Sequence, residues 1–191
     1  MTSGNFAFYS DSTAHAGVLR EGSSGSLLYR MTYTRAIKHI RMGQNSKVGT
    51  RAFANCVELQ TCILPHELAS VDASLFYYTH SLKSLTIPNG VTTLSNYFLM
   101  QCYHLINISI PPSITTLNSY VFDNVSTIKY ITIPYGVTSI NSGLFYACND
   151  LKEAFLPNID LNTNSAFYNC RGLLNFTIPS IVTSIANNAF N

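Results

Sequence analysis

The chain is expected to form an α/β repeat solenoid: a right-handed parallel stack of about seven coils of 22–23 residues. One face is a parallel sheet and the other a series of short 3₁₀ or helical turns. Three observations predict this. Prolines stand at 65, 88, 111, 134, 157 and 179, at intervals of 23, 23, 23, 23 and 22 residues. A second column keeps the same beat: Phe53, Phe76, Leu99, Phe122, Phe145, Phe167 and Phe190. Two further columns run in register with it, Cys56, Thr79, Cys102, Val125, Cys148 and Cys170, and Leu59, Leu82, Leu105, Ile128, Leu151 and Leu173. Unrelated residue types sharing one period are the mark of stacked structural units.

The composition agrees and narrows the function. Of 191 residues, 47% belong to the hydrophobic set and 12% are aromatic, enough to build a core and to exclude wholesale disorder. Charged residues are only 10%, against about 25% in a typical soluble domain. Eleven Lys and Arg against nine Asp and Glu leave a net charge of +2, which excludes a strongly basic nucleic-acid binder. No stretch approaches the roughly 18–20 apolar residues of a membrane span. The N-terminus has neither the basic region nor the apolar run of a secretory signal.

Residues 1–26, with Gly22-Ser-Ser-Gly-Ser26, read as a flexible leader. Residues 27–42 are expected to form an N-terminal cap, a strand or hairpin covering the first coil. Residues 43–191 carry the repeats. In the unit that starts at Leu82, Leu85-Thr-Ile87 alternates like a strand with one face buried. Pro88 ends it, because proline cannot donate to a ladder. Pro88-Asn-Gly90 and Pro134-Tyr-Gly136 supply turns in which glycine is expected to take positive φ. Val91 and Leu94, matched by Val137 and Ile140, turn inward as a second short extended piece. The stretch to Cys102 closes the coil. The unit from Leu151 is one residue short between Pro157 and Phe167, which puts Asn162 in the column of Val71, Leu94, Leu117, Ile140 and Ile185. A bulge or asparagine ladder is expected there. One such coil has too few apolar side chains to bury alone, so Leu must stack on Leu and Phe on Phe.

The unit Ile128-Lys-Tyr-Ile-Thr-Ile-Pro134-Tyr-Gly-Val-Thr-Ser-Ile140-Asn-Ser-Gly-Leu-Phe145-Tyr-Ala-Cys148 closely resembles the BspA-type leucine-rich repeat. The resemblance covers about residues 37–191. It implies a leucine-rich-repeat solenoid and a surface antigen or adhesin, cell-surface or extracellular, that binds host matrix or cell-surface proteins. The alternative is an intracellular scaffold, or a gene fragment whose fold persists without function.

The chemistry-bearing residues give no enzyme. The five cysteines contain no C-x-x-C pair, and a column of buried thiols beneath the Phe column accounts for Cys56, Cys102, Cys148 and Cys170. The histidines, including His80 and His104, read as solvated loop residues. There is no nucleophile elbow, phosphate loop or zinc-protease motif. No metal and no cofactor is expected. The sequons at Asn107, Asn124 and Asn175 are what an Asn- and Ser-rich chain produces incidentally. The sheet face remains, with outward residues in every coil. The candidate binding residues on it are Thr86, Ser109, Lys129, Tyr130, Thr132, Lys152, Glu153, Phe155 and Thr177, with a protein as the expected partner.

Overall fold

Backbone pairing in the computed structural model, which describes residues 18–19, 37–44 and 48–191, follows the period of the sequence. Nine short strands are formed: β1 (Val18–Leu19), β2 (His39–Arg41), β3 (Thr61–Ile63), β4 (Ser84–Thr86), β5 (Thr93–Leu94), β6 (Asn107–Ser109), β7 (Thr116–Leu117), β8 (Tyr130–Thr132) and β9 (Glu153–Phe155). Every pairing between them is parallel. Their order β1-β2-β3-β4-β6 makes the main sheet, and β8-β9 continues the same face as a separate pair. β5 and β7 form the second extended piece expected at Leu94, extended by single bridges from Leu117 to Ile140 and from Ser139 to Asp160. Alternation does the work on the main face: Ile40, Cys62, Leu85, Ile131 and Ala154 point inward and are buried, while their strand neighbours point out.

The coil count is smaller than the sequence predicts. Continuous sheet runs for five strands, not about seven, because no ladder joins β6 to β8 and the last coil contributes a single bridge, Glu153 to Asn175. β1 lies within the segment expected as a leader. The rest of that segment, and residues 27–36 of the expected cap, fall outside the described residues.

The opposite face also differs from expectation. No helix forms there among the described residues. Each turn instead places two residues at positive φ, two positions either side of the Phe column: Arg51 and Asn55, Ser74 and Tyr78, Tyr97 and Gln101, Tyr120 and Asn124, Gly143 and Ala147, Ser165 and Asn169. Left-handed residues four positions apart break any longer 3₁₀ or α run. They also aim alternate N–H groups at the next coil. Arg51, Phe53 and Asn55 donate to the carbonyls of Ala73, Leu75 and Tyr77 at 3.1, 3.0 and 2.8 Å, and the pattern recurs coil after coil. The turn face is thus a third inter-coil ladder, and it crosses the gap between β6 and β8 through Tyr120 N–H to Ser142 C=O and Phe122 N–H to Leu144 C=O.

The core lies between these ladders. Phe53, Phe76, Phe98, Phe122, Phe145 and Phe167 are fully buried. Phe122 and Phe145 stack at 5.4 Å, Phe145 and Phe167 at 5.2 Å, Phe167 and Phe190 at 5.3 Å. In the coil where the column carries Leu99, its neighbour Phe98 supplies the ring and meets Phe76 edge-on at 5.7 Å.

Two local expectations are corrected. Gly90 and Gly136 do not take positive φ; among the described glycines only Gly143 does. They are small because the preceding coil runs against them: a Cβ on Gly90 would lie 2.7 Å from the Leu68 carbonyl oxygen. Asn162 enters no core column, and it is an extra residue looped out of the coil, as a bulge would be. Pro157 to the inward Leu161 is two residues shorter than Pro134 to Ile140, with Ile159 N–H on the Pro157 carbonyl at 2.8 Å. Leu161 to Phe167 is one residue longer than Ile140 to Phe145, with Thr163 N–H on the Leu161 carbonyl at 2.7 Å. Leu161 then fills the inward position, and Asn162 stays exposed with its N–H on the Asp160 carboxylate at 3.2 Å.

Candidate binding face

The sheet positions its outward side chains by strand register. Tyr130 pairs with Glu153 and Thr132 with Phe155, so these four form one square on β8 and β9. Tyr130 is 66% exposed and Phe155 51%, with the ring of each held on a fixed strand. Lys129 and Lys152 immediately precede these strands, linked by Lys152 N–H to the Lys129 carbonyl at 2.8 Å. Thr86 pairs with Ser109 on β4 and β6, on the other side of the sheet break. Thr177 is exposed beyond Phe155 but lies in no strand. The structure therefore brings together Lys129, Tyr130, Thr132, Lys152, Glu153 and Phe155, and leaves Thr86, Ser109 and Thr177 apart from them.

The cysteine column has a structural role. Cys102, Cys148 and Cys170 each donate from Sγ to the carbonyl of the Phe one coil back, Phe76, Phe122 and Phe145, at 3.2, 3.0 and 2.9 Å. Thr79 does the same to Phe53 at 2.8 Å. Serine or threonine chemistry, not metal binding, is the nearest analogue. Burial pushes the Cys62, Cys102 and Cys148 thiols far above the ordinary range and the Cys170 thiol up to about 12, so none is a nucleophile at neutral pH. Among the described residues no three His, Cys, Asp or Glu gather as metal ligands.

A polar cluster on the turn face escaped the sequence reading. His80 is not a solvated loop residue: it lies between Tyr78 and Tyr103, with ring centroids at 5.6 and 4.8 Å. His104 Nδ1 is 2.9 Å from the His80 carbonyl, and the Tyr103 hydroxyl donates to Gln101 at 2.6 Å. Burial, then the nearby His104, holds the His80 imidazole below its usual pKa. Asp123 stands in the column of Tyr146, buried, and desolvation raises its carboxyl to about 6. The only sequence signal is the columns themselves: tyrosines recur two positions before, or one after, the Phe column.

With the geometry described, the chain can be set beside known proteins. The BspA type leucine rich repeat region matches in six copies, over residues 29–152 and 70–191. Among solved structures, a leucine-rich repeat protein of T. pallidum superposes with a TM-score of 0.72 at 16% identity, covering 96% of this chain and 97% of that one. A leucine-rich repeat protein from Bacteroides ovatus gives 0.56 at 18% identity, covering 91% and 69%. A leucine rich cell surface protein from Faecalibacterium prausnitzii gives 0.58 at 22% identity, covering 97% of this chain and 54% of its own. These likenesses show a shared fold. No curated protein matches the chain.

Proposed function

The chain belongs to the BspA-type leucine-rich repeat family, and from that premise we propose that it is an adhesin-like binding module presenting its sheet face to a protein partner outside the cell. Repeat scaffolds of this family generally mediate protein–protein interaction and are generally non-enzymatic. The observation that carries the reading is the square of Tyr130, Thr132, Glu153 and Phe155: two large rings exposed at diagonal corners of a pair of hydrogen-bonded strands. Rigid aromatics lose little conformational entropy on binding and dominate interface hot spots. The Faecalibacterium prausnitzii protein of this fold, described as a cell surface protein, supports the location.

Two measurements test it. Protease treatment of intact source cells should release peptides of residues 37–191. Purified chain should bind at least one of a panel of purified matrix and cell-surface proteins, and Tyr130→Ala with Phe155→Ala should abolish that binding at an unchanged melting temperature. Full protection on intact cells, or binding indifferent to the double substitution, would overturn it.

A further inference from the structure

Four of the five lysines follow the repeat; the fifth, Lys47, falls outside their column. Among the described residues there are four, Lys38, Lys83, Lys129 and Lys152, and all four fall in one column, immediately before the outward strand position. Backbone bonds establish the register from Lys38 to Ile106 and from Lys129 to Lys152: Gln60 N–H to Lys38, Lys83 N–H to Gln60, Ile106 N–H to Lys83 and Lys152 N–H to Lys129, at 2.7, 3.0, 3.0 and 2.8 Å. Across the sheet break the 23-residue period aligns Ile106 with Lys129. With coils about 4.8 Å apart, Lys38 to Lys83 and Lys83 to Lys129 are each steps of about 10 Å, and the row runs about 24 Å along the stacking axis.

Among the described residues these ammonium groups form no ion pair. Glu58, Asp150 and Glu153 lie near the row, yet the one ion pair among the described residues is His66 with Glu67. Lys38, Lys83 and Lys129 are exposed and Lys152 half-exposed, and the rings of Tyr130 and Phe155 stand beside the last two.

We propose that this lysine row binds an acidic polysaccharide, a sulfated or uronic-acid chain lying along the solenoid axis. A single file of cations at two two-coil steps and a final one-coil step fits a linear polymer that carries a charge about once per disaccharide, with a denser pair at one end. Lysine suits it: a hydrated point charge on a flexible stem follows a flexible polyanion, whereas bidentate recognition would call for arginine. The exposed rings can cover the C–H faces of sugar rings. A folded protein fits the row less well, because lysine is depleted at protein interfaces. The inference does not rest on the protein-binding reading, since its determinants are the lysines.

Heparin serves as the probe, with neutral dextran and polyglutamate as comparators. Heparin should bind and dextran should not, and log K should fall with log salt at a slope of roughly −3, as four released counterions imply. Lys129→Gln with Lys152→Gln should weaken binding by about tenfold and halve that slope, with the melting temperature unchanged. Arg51→Gln with Arg171→Gln, outside the row, should change it by less than about twofold. Lys83→Gln alone should weaken binding by a smaller factor, which provides a second variant. No heparin binding, equal loss in the arginine pair, or tighter binding of polyglutamate would each overturn the proposal, the last by assigning the row to an acidic protein.

Discussion

The coil around Phe145 and the final coil around Phe190 share the Thr-Ile-Pro and Val-Thr-Ser-Ile segments and the column Phe, yet differ sharply in packing. Phe145 is 1% exposed and Phe190 41%; Ile133 is 2% exposed and its counterpart Ile178 51%. The last coil has one bridge to its neighbour on the sheet face and stacks one ring on one side. Burial in this molecule is therefore a property of having a coil on both sides, not of the side chain. Stability is correspondingly a sum of coil–coil junctions, and a substitution is worth what its two junctions are worth.

The sharpest way to break this comparison is to truncate matched rings. Phe122→Ala, covered on both sides, should cost about 3–5 kcal/mol in denaturant unfolding. Phe190→Ala should cost about 1–2 kcal/mol, the value of a partly buried ring. Equal losses would show that the end coil is as well supported as the interior. A smaller effect is expected from glycine. Gly90→Ala drives a methyl into the Leu68 carbonyl and should cost about 1–3 kcal/mol, whereas Gly49→Ala, with nothing within 4 Å, should be close to neutral. A tolerated Gly90→Ala would mean that the coils can separate there.

The smallest effect depends on pH. Desolvation raises the Asp123 carboxyl from 3.8 to about 6, so the folded state holds the proton more tightly than the unfolded state does. That stability is fully present below about pH 4 and is lost as pH rises through about 6. Its size is roughly 1–2 kcal/mol, about half the full value of the shift, because the carboxyl keeps some contact with solvent. Asp123→Asn should therefore raise the melting temperature at neutral pH by about 2–6 °C and leave it unchanged at about pH 4. His80, whose lowered pKa acts with the opposite sign, is common to both proteins and cancels. A pH-independent difference would remove the buried carboxylate as its cause.

What was legible in the sequence is what repeats as a residue type. The Pro, Phe, Leu and Cys columns announced the period and the inward faces. What repeats as backbone conformation was hidden. Arg51, Ser74, Tyr97, Tyr120, Gly143 and Ser165 share a positive φ and no side-chain chemistry, because the inter-coil ladder imposes the conformation and the side chain only tolerates it. The shortened coil misled for a related reason: counting from Phe167 puts Asn162 in the core, but the coil drops two residues between Pro157 and Leu161 and regains one at Asn162, which backbone turns set and residue types do not announce. On the binding face, Lys129 and Lys152 beside Tyr130 stood out locally. Lys38 and Lys83 did not, since Gln60 and Ile106 interrupt their column and only the register aligns them.

The ladder on the turn face also has a mechanical consequence. With inter-coil hydrogen bonds on three sides, all directed along the stacking axis, tension applied between the two ends loads them in series, as in a zipper. Coils should peel away one at a time, the junction with fewest bonds first, and each released coil of 23 residues would lengthen the chain by about 75 Å. A tether built this way yields in steps under shear and re-forms coil by coil when the load is removed.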